Sequence, residues 1–171
     1  KKEGVSFALR GGLFANVEIW NNLGKSTLIG LNGEPDSKIG FGLMGLLTAG
    51  IDIDDDMYLG VGPHFGGNFW RHSQKIANYE TSVQITPLDF GVDIAFGFDD
   101  LYFIFGTGSS SVSVTAEVGS DSKTVEIPDK APYKRLQMGW SDGLGIGFSI
   151  VSYSAPFENL GRIEFNMGFT L

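Results

Sequence analysis

The sequence predicts an all-β fold, a closed antiparallel up-and-down transmembrane β-barrel of eight strands, formed by residues 1–171 as a single domain. Three observations predict it. Large apolar residues alternate with small or polar ones along most of the chain, which is the two-residue period of a strand. The less apolar face carries glycine and other small residues in place of a polar coat. Short and long connections alternate along the chain, as a barrel that crosses a membrane requires.

The composition limits the class of protein. Of the 171 residues, 25 are glycine and 14 are phenylalanine, and only 19% are charged, compared with about 25% in a typical soluble domain. The net charge of -8 argues against nucleic-acid binding, because that requires a basic surface to displace counterions from phosphates. The absence of cysteine excludes disulfides, thiolate metal ligands and thiol nucleophiles. The sequence has no run of about 18 apolar residues, so no transmembrane helix is predicted.

The first strand is predicted over residues 5–20, where the odd positions are apolar and the even ones include Arg10 and Glu18. Later segments alternate in the same way, with a phase shift beside Pro87 that a β-bulge would accommodate and a Gly/Ser break at 108–111. These segments cover residues 39–53, 57–71, 79–98, 101–118, 136–150 and 163–171.

Seven strand segments leave the count one short, because single-chain bacterial barrels have an even number of strands. The stretch "KSTLIGL", residues 25–31, is the best candidate for the eighth.

Two residues conflict with unbroken strands. Pro63 cannot donate to a ladder and needs a bulge or a wide pair. Asp142 would face lipid unless a bulge at 141–143 redirects it, it lies near the rim, or it contacts another protein.

The connections of the chain differ in length. Long polar stretches cover 21–38, 71–78 and 119–133, tight turns lie at 54–56 and 99–100, and a modest turn lies at 155–159. Around the start of the last long stretch, residues 112–118 and 123–127 alternate on both sides of 119–122 and predict a hairpin that projects beyond the membrane. A partner protein is expected to dock at such extracellular loops.

The stretch "YLGVGPHFGGNFW", residues 58–70, indicates which face meets lipid. In a soluble barrel Phe65 and Phe69 would point inward, and the outer face would hold no charged residue. Soluble sheets present charged side chains to water, whereas small residues suit the tight interior of a small barrel. The large apolar face is therefore predicted to meet the lipid bilayer. A soluble, lipocalin-like barrel that binds an apolar ligand, with the Phe-rich face inward, is the alternative.

The stretches "DDDMYLGVGPHFGG", residues 54–67, and "RIEFNMGFTL", residues 162–171, carry a resemblance. They are similar to the start of an upward strand and to the C-terminal assembly signal of small outer-membrane β-barrels of Gram-negative bacteria, the OmpA, OmpX and OmpW groups. Leu171 stands where that family usually ends in Phe or Trp. The resemblance implies an eight-stranded barrel in the bacterial outer membrane and insertion by the barrel assembly machinery. It also implies one of the roles found in that family, which range from structural anchoring to adhesion or the passage of small solutes.

Charged residues on the face opposite to lipid are predicted to lie in the lumen, the interior of the barrel. They are Arg10, Glu18, Asp52, His64, Glu80, Asp89, Asp93, Arg162 and Glu164. A charge in a low-dielectric interior must be paired or solvated, so Arg10 and Arg162 are expected to bond to some of these acids. A structural plug of ion pairs is the favoured interpretation. The excess of acids predicts a preference for cations in any passage.

Aromatic residues near the strand ends are predicted to form two girdles. Tyr58, Tyr102 and Tyr153 lie beside the short turns, and Trp20 and Trp70 lie at the opposite ends of their strands. Such girdles mark the two levels at which a barrel meets the lipid headgroups.

Signals for catalysis, cofactors and metals are weak. The "GKST" at 24–27 lacks the earlier glycine of a phosphate-binding loop, and paired glycines follow the strand period without forming G-x-G-x-x-G. His64 and His72 have no spacing that pairs them with a nucleophile and a carboxylate, so a lipid-modifying barrel enzyme ranks third. We therefore expect no enzyme activity, no cofactor and no metal. The expected role is structural or surface-interacting, with at most limited passage of small solutes.

Overall fold

The computed structural model describes residues 4–21, 38–53, 56–76, 79–155, 157 and 160–170. Most of these residues lie in nine strands: β1 Val5–Asn21, β2 Ile39–Ile53, β3 Met57–Ile76, β4 Tyr79–Phe98, β5 Leu101–Val118, β6 Asp121–Glu126, β7 Ala131–Asp142, β8 Leu144–Tyr153 and β9 Gly161–Thr170. No helix among the described residues is long and apolar enough to cross a bilayer. The stretches at 24–27 and 25–31 lie outside the described residues.

Eight of the strands close into a ring. Strands β1 to β5 pair in succession, β7 pairs with β5, and β8 and β9 lead back to β1. Every pairing is antiparallel. The remaining strand, β6, pairs with β5 outside the ring. The predicted antiparallel eight-stranded barrel is confirmed.

The two faces of each strand separate as the alternation predicts. In β3, Val61 and Phe65 are 53% and 58% exposed, whereas Tyr58 and His64 are buried. Large apolar side chains cover the outside of the ring in the same way, and we call this surface the apolar belt. It includes Leu9, Leu13, Phe41, Leu43, Phe90, Val92, Phe105, Phe148, Phe165 and Phe169. The alternative arrangement, with the Phe-rich face inward, is wrong.

The missing strand comes from the segment 136–150, which is two strands. β7 and β8 meet at Gly143, whose φ is +75°, a conformation that glycine adopts readily, and Asp142 pairs with Leu144 across the turn. The bulge predicted at 141–143 is therefore a hairpin turn at the end of the barrel. Even positions face outward on both sides of this turn, so the reversal does not disturb the alternation.

Pro63 interrupts a ladder without forming a bulge. Leu46 lies opposite His64 and Ala49 lies opposite Val61, so β2 and β3 keep one register on both sides of the proline. The pairs between these two rungs are missing, because proline has no N–H to donate.

The bulge predicted near Pro87 is also wrong. β4 keeps one register with β5 across this residue, which lies opposite Val112. The apparent phase shift arises because the apolar residues change faces along the strand. Ile85 is buried on the inner face in the cluster at the end of the barrel, whereas Phe90 is exposed in the apolar belt.

The short connections lie at one end of the barrel. β2 and β3 are joined through 54–56, β4 and β5 through Asp99–Asp100, and β7 and β8 through Gly143. The connection at 155–159, grouped with the short turns in the sequence, lies at the other end, where β8 ends and β9 begins. We call the two ends the short-turn end and the long-loop end.

Three strands continue past the ring at the long-loop end, and with β6 they form a projecting sheet of four strands. It contains residues 71–76 of β3, 79–86 of β4, 111–118 of β5, and all of β6. Residues 71–76, expected in a loop, are therefore strand. β6 is exposed along its whole length, and within the described chain it pairs with β5 alone. The predicted hairpin between these two strands is confirmed.

Candidate functional site

The barrel interior has three layers along its axis. At the long-loop end lies the apolar cap, a buried cluster of Trp20, Trp70, Ile85, Val112, Ala131, Tyr133, Val151, Tyr153, Phe157 and Leu160. Below it lies the central network of buried charged side chains, namely Glu18, His64, Asp89, Asp93, Arg135, Arg162 and Glu164. An open cavity, the vestibule, occupies the short-turn end. The interior is therefore closed above and open below.

Arg162 holds the first half of the central network together. Its Nε donates to Glu164 Oε1 at 2.6 Å, and its terminal nitrogens bond to Asp89 and to the Tyr153 hydroxyl. Asp89 also accepts a hydrogen bond of 2.8 Å from Asn68 Nδ2. A buried charge is tolerated when it is paired and hydrogen-bonded, and these groups meet that condition.

Asp93 lies between Arg135 and His64 in the second half of the central network. Its Oδ2 lies 2.6 Å from Arg135 Nη2, and its Oδ1 lies 2.8 Å from His64 Nδ1. The other ring nitrogen of His64 bonds to the Tyr133 hydroxyl. Carboxylate, imidazole and hydroxyl in this order activate nucleophiles in hydrolases. Here all three groups are buried, and the cavity beside them measures only about 10 Å³, which leaves room for about one water and no substrate.

The buried charges do not balance. Among the described residues the network holds two guanidinium groups, from Arg135 and Arg162, and four carboxylates, from Glu18, Asp89, Asp93 and Glu164. Glu18 accepts a 3.0 Å hydrogen bond from the indole Nε1 of Trp20. The interior therefore carries an excess of acidic groups over bases.

Three of the nine residues predicted for the lumen lie outside the central network. Arg10 and Asp52 form an ion pair of 2.7 Å in the vestibule, with side chains 47% and 30% exposed. Arg10 thus pairs with an acid of the neighbouring strand. Glu80 is exposed on the projecting sheet, and its assignment to the lumen is wrong because β4 has not yet entered the ring there. The other six residues, Glu18, His64, Asp89, Asp93, Arg162 and Glu164, are buried in the network.

The five residues predicted for the aromatic girdles point into the barrel, so the girdle assignment is wrong. Trp20 and Trp70 are fully buried, Tyr58 and Tyr153 nearly so, and Tyr102 is partly buried. Each of them occupies a position of its strand that shares a face with the lumen residues, and a strand cannot turn such a side chain toward lipid. The two tryptophans and Tyr153 belong to the apolar cap, while Tyr58 and Tyr102 line the vestibule.

Sequence reasoning missed Arg135, Tyr133 and Gln137, which are buried inside the barrel. The strand was predicted to begin at Leu136, whereas β7 begins at Ala131. The stretch "APYKRLQMGW" alternates from its first residue, and extending the strand to that point places Tyr133 and Arg135 on the inner face. Gln137 already lay on that face of the predicted segment, but it carries no charge and was not singled out.

The interior glycines make room for large side chains of nearby residues. A Cβ on Gly139 or Gly147 would lie 2.5 or 2.6 Å from the Tyr102 hydroxyl, and one on Gly108 would lie 2.8 Å from the hydroxyl of Tyr133. These distances are far below van der Waals contact. The glycine-rich face therefore allows aromatic side chains to lie along the barrel wall.

The vestibule is a cavity of about 880 Å³ between the short turns. Phe14, Tyr58 and Tyr102 supply aromatic walls, and the ion pair of Arg10 and Asp52 lies among them. No group of three or more histidine, aspartate or glutamate residues in the described part of the chain is arranged to hold a metal ion. The cavity thus combines aromatic surface with exposed charge.

Comparisons with known proteins identify the fold. No family model and no curated protein matches this sequence. The structure is similar to that of Ail, the attachment invasion locus protein of Yersinia pestis, in complex with the heparin analogue sucrose octasulfate. The TM-score is 0.55 at 12% sequence identity, over 99% of this chain and 100% of Ail. At this identity the likeness establishes a shared barrel fold.

Two further solved structures match with lower scores. Neisserial surface protein A matches with a TM-score of 0.44 and 14% identity over 99% of each chain. The backbone structure of the Yersinia pestis outer membrane protein Ail in a phospholipid bilayer nanodisc matches with a TM-score of 0.41 and 10% identity, over 94% of this chain and 99% of Ail.

Proposed function

We propose that this chain is a bacterial outer-membrane protein whose barrel anchors the projecting sheet at the cell surface. The observation that carries the proposal is the apolar belt, in which Phe90 and Phe165 are 65% and 55% exposed. In water a contiguous apolar surface of this kind drives association. In a bilayer it contacts acyl chains, and the closed ring leaves no strand edge unpaired at that depth.

The difference between the two ends supports one orientation. Outer-membrane barrels have short periplasmic turns and longer extracellular loops, so the end that carries Asp99–Asp100 and Gly143 faces the periplasm. The projecting sheet then stands outside the cell. Ail, which shares the fold, is an outer-membrane protein and was crystallised with a heparin analogue, which supports a surface-interaction role.

The free edge of β6 is the part of the projecting sheet that suits a protein partner. Its outer edge carries backbone groups that pair with no other strand of the described chain. An extended segment of another protein can add a strand to such an edge through main-chain hydrogen bonds. We therefore propose an extracellular protein as the partner of this sheet.

The interior supports neither catalysis nor steady solute flow. His64, Asp93 and Tyr133 are enclosed without room for a substrate, so we propose no enzyme activity. The apolar cap and the central network block the axis above the vestibule. A structural plug is therefore the proposed role of the network.

Insertion by the barrel assembly machinery is part of this proposal. The last strand, β9, presents Phe165, Met167 and Phe169 outward in alternation, the pattern that resembles the assembly signal of outer-membrane barrels. Depletion of that machinery in the native host is expected to leave the chain out of the outer-membrane fraction.

Fractionation and surface proteolysis test the location and orientation. The native protein is expected in the outer-membrane fraction, with faster migration on unheated gels. A lysine-specific protease added to intact cells is expected to cut at Lys123 or Lys130, both exposed at the long-loop end. Lys134, which lies in ring strand β7, serves as the internal control and stays uncut. Recovery in the soluble periplasm, or cleavage of the hairpin only after lysis, would contradict the proposal.

A further inference from the structure

We propose that the vestibule binds an amphipathic organic cation, a molecule that joins a guanidinium or quaternary ammonium group to an apolar body. Its volume of about 880 Å³ falls within the range of small-molecule sites, roughly 300–1,000 Å³. Three features of the cavity carry the inference, namely its closed floor, its aromatic walls and its charge.

A buried layer closes the vestibule toward the central network. Tyr58, Ala95 and Ile104 pack into one hydrophobic cluster, and the Thr48 and Tyr58 hydroxyls share a hydrogen bond of 2.8 Å. A molecule that enters from the short-turn end therefore reaches an apolar floor and goes no further.

The aromatic walls leave the centre of the vestibule open. The rings of Phe14 and Tyr102 lie 6.3 Å apart, and the Tyr102 hydroxyl occupies the space over Gly139 and Gly147. Because these two residues have no side chain, the tyrosine lies across β7 and β8 along the wall. The space that a projecting ring would fill remains available to a ligand.

The charge of the vestibule favours cations. One guanidinium, that of Arg10, lies among four carboxylates, which belong to Asp52, Asp99, Asp100 and Asp142. The three rim acids are exposed at the short turns. A cleft lined by an excess of one charge concentrates the opposite ion at its mouth.

Arg10 shows how the vestibule recognises a cation. Its Nη2 lies 2.7 Å from Asp52 Oδ1, and its Cζ lies 4.5 Å from the centre of the Tyr58 ring. A carboxylate on one side and an aromatic face on the other are the two groups that stabilise an organic cation. The side chain of Arg10 is 47% exposed, so it can leave this position. We infer that a ligand cation replaces it there.

The chain offers a position at which the vestibule can be filled. A Cβ on Gly97 would lie 3.4 Å from Tyr58 Cβ and 3.9 Å from Arg10 Nη1, which is ordinary contact. The nearest backbone atom, the carbonyl oxygen of Leu101, would lie 3.8 Å from that Cβ, so a larger side chain at Gly97 can extend toward the cation position without a backbone clash. Gly97→Leu is accordingly the blocking variant.

The test is a titration of the purified barrel in a nonionic detergent, followed by NMR. Benzyltrimethylammonium is the cationic probe, and benzenesulfonate and benzyl alcohol are the anionic and neutral controls. Saturable shifts are expected at Tyr58, Tyr102 and Gly97 with the cation alone. The outcome does not depend on membrane location, whereas access to the vestibule from the periplasm rests on the proposed function.

Variants that change the charge of the vestibule test whether the probe binds at the position that Arg10 occupies. Asp52→Asn is expected to weaken binding of the cation about two- to fivefold, the range of an exposed ion pair. Arg10→Ala is expected to strengthen it by a similar factor, because it frees the carboxylate and the ring of Tyr58. Asp121→Asn, at the opposite end of the barrel, removes one carboxylate of the same kind and is expected to leave the affinity unchanged.

Several results would overturn the proposal. They are preferential binding of benzenesulfonate, weaker cation binding in Arg10→Ala, and shifts in Gly97→Leu as large as those in the wild type. The last result would show that the probe partitions into the detergent around the apolar belt. Faster gel migration of unheated samples confirms that each variant is folded. If Gly97→Leu does not fold, the opposite signs expected for Arg10→Ala and Asp52→Asn still decide the matter.

Discussion

At the scale of single residues, the interior is filled by pairing large side chains with glycines. The ring of Tyr58 lies over Gly60, whose Cβ would meet the tyrosine Cζ at 2.5 Å. Gly67, on the same strand, differs because its Cβ would meet only Leu88 Cδ2, at 3.5 Å. Glycine is therefore required at some positions of the alternation and replaceable at others.

This difference predicts the effect of two matched substitutions in β3. Gly60→Ala is expected to lower the free energy of unfolding by about 1–3 kcal/mol, because an added methyl forces the buried tyrosine to move. Gly67→Ala is expected to change it by less than about 0.5 kcal/mol. Urea unfolding in lipid vesicles measures both. Equal effects would show that tyrosine packing is not what selects glycine.

The buried ion pairs respond to substitution differently from the exposed one. Arg135→Met leaves Asp93 buried without its cationic partner, and we expect a loss of about 3–5 kcal/mol. Arg10→Met breaks the partly exposed pair with Asp52 and is expected to cost at most about 1 kcal/mol. Adding Asp93→Asn to Arg135→Met should recover part of the loss, because it removes the uncompensated charge. Similar midpoints of urea unfolding for the two methionine variants would contradict this account.

At the scale of strands, a single strand can lie in the ring over one part of its length and in the projecting sheet over the other. Strands β3, β4 and β5 carry part of the apolar belt in the ring and continue into the projecting sheet. β4 shows the consequence, since its apolar residues point inward at Ile85 and outward at Phe90. The outer face of the projecting sheet instead carries polar groups, such as Arg71, which lies 2.7 Å from Glu117.

Replacing valine with arginine is therefore expected to affect stability differently in the ring and in the projecting sheet. Val61 lies in the ring at 53% exposure, and Val118 lies in the projecting sheet at 51%. Val61→Arg is expected to destabilise the folded barrel in bilayers by about 2–4 kcal/mol near the midplane, because the charge loses its hydration there. Val118→Arg is expected to stay within about 0.5 kcal/mol of the wild type. Full stability of Val61→Arg in vesicles would contradict the assignment of the lipid face.

At the scale of the whole molecule, the barrel is closed at one end and open at the other. The cap of buried aromatic and aliphatic side chains lies at the long-loop end, and the central network below it is buried. An eight-stranded barrel is only wide enough for side chains to fill it. Unfilled space is concentrated in the vestibule.

This arrangement predicts no steady conductance in planar bilayers. Any brief openings are expected to favour K⁺ over Cl⁻, because the network holds more carboxylates than guanidinium groups. Asp89→Asn combined with Asp93→Asn is expected to reduce that preference. Reversal potentials measured in a salt gradient check the sign, and anion-selective openings in the wild type would contradict it.

The alternation of residue types was sufficient to predict the barrel, its apolar outer surface and the interior position of Glu18, His64 and Asp93. A period of two is a local property, because each side chain faces opposite to its two chain neighbours. Burial on one face then follows without knowledge of the rest of the chain. The belt and the lumen were readable for this reason.

Features that depend on distant partners or on the exact ends of strands required the folded chain. The turn at Gly143 was hidden because the alternation has the same phase on both sides of it. Arg135 and Asp93 are 42 positions apart in the chain, and Arg162 and Asp89 are 73 apart. Which charges meet is set by the closure and register of the ring, and alternation contains no information on either. The open vestibule follows from the same closure, because it depends on which glycines come to lie beside the inward aromatic residues.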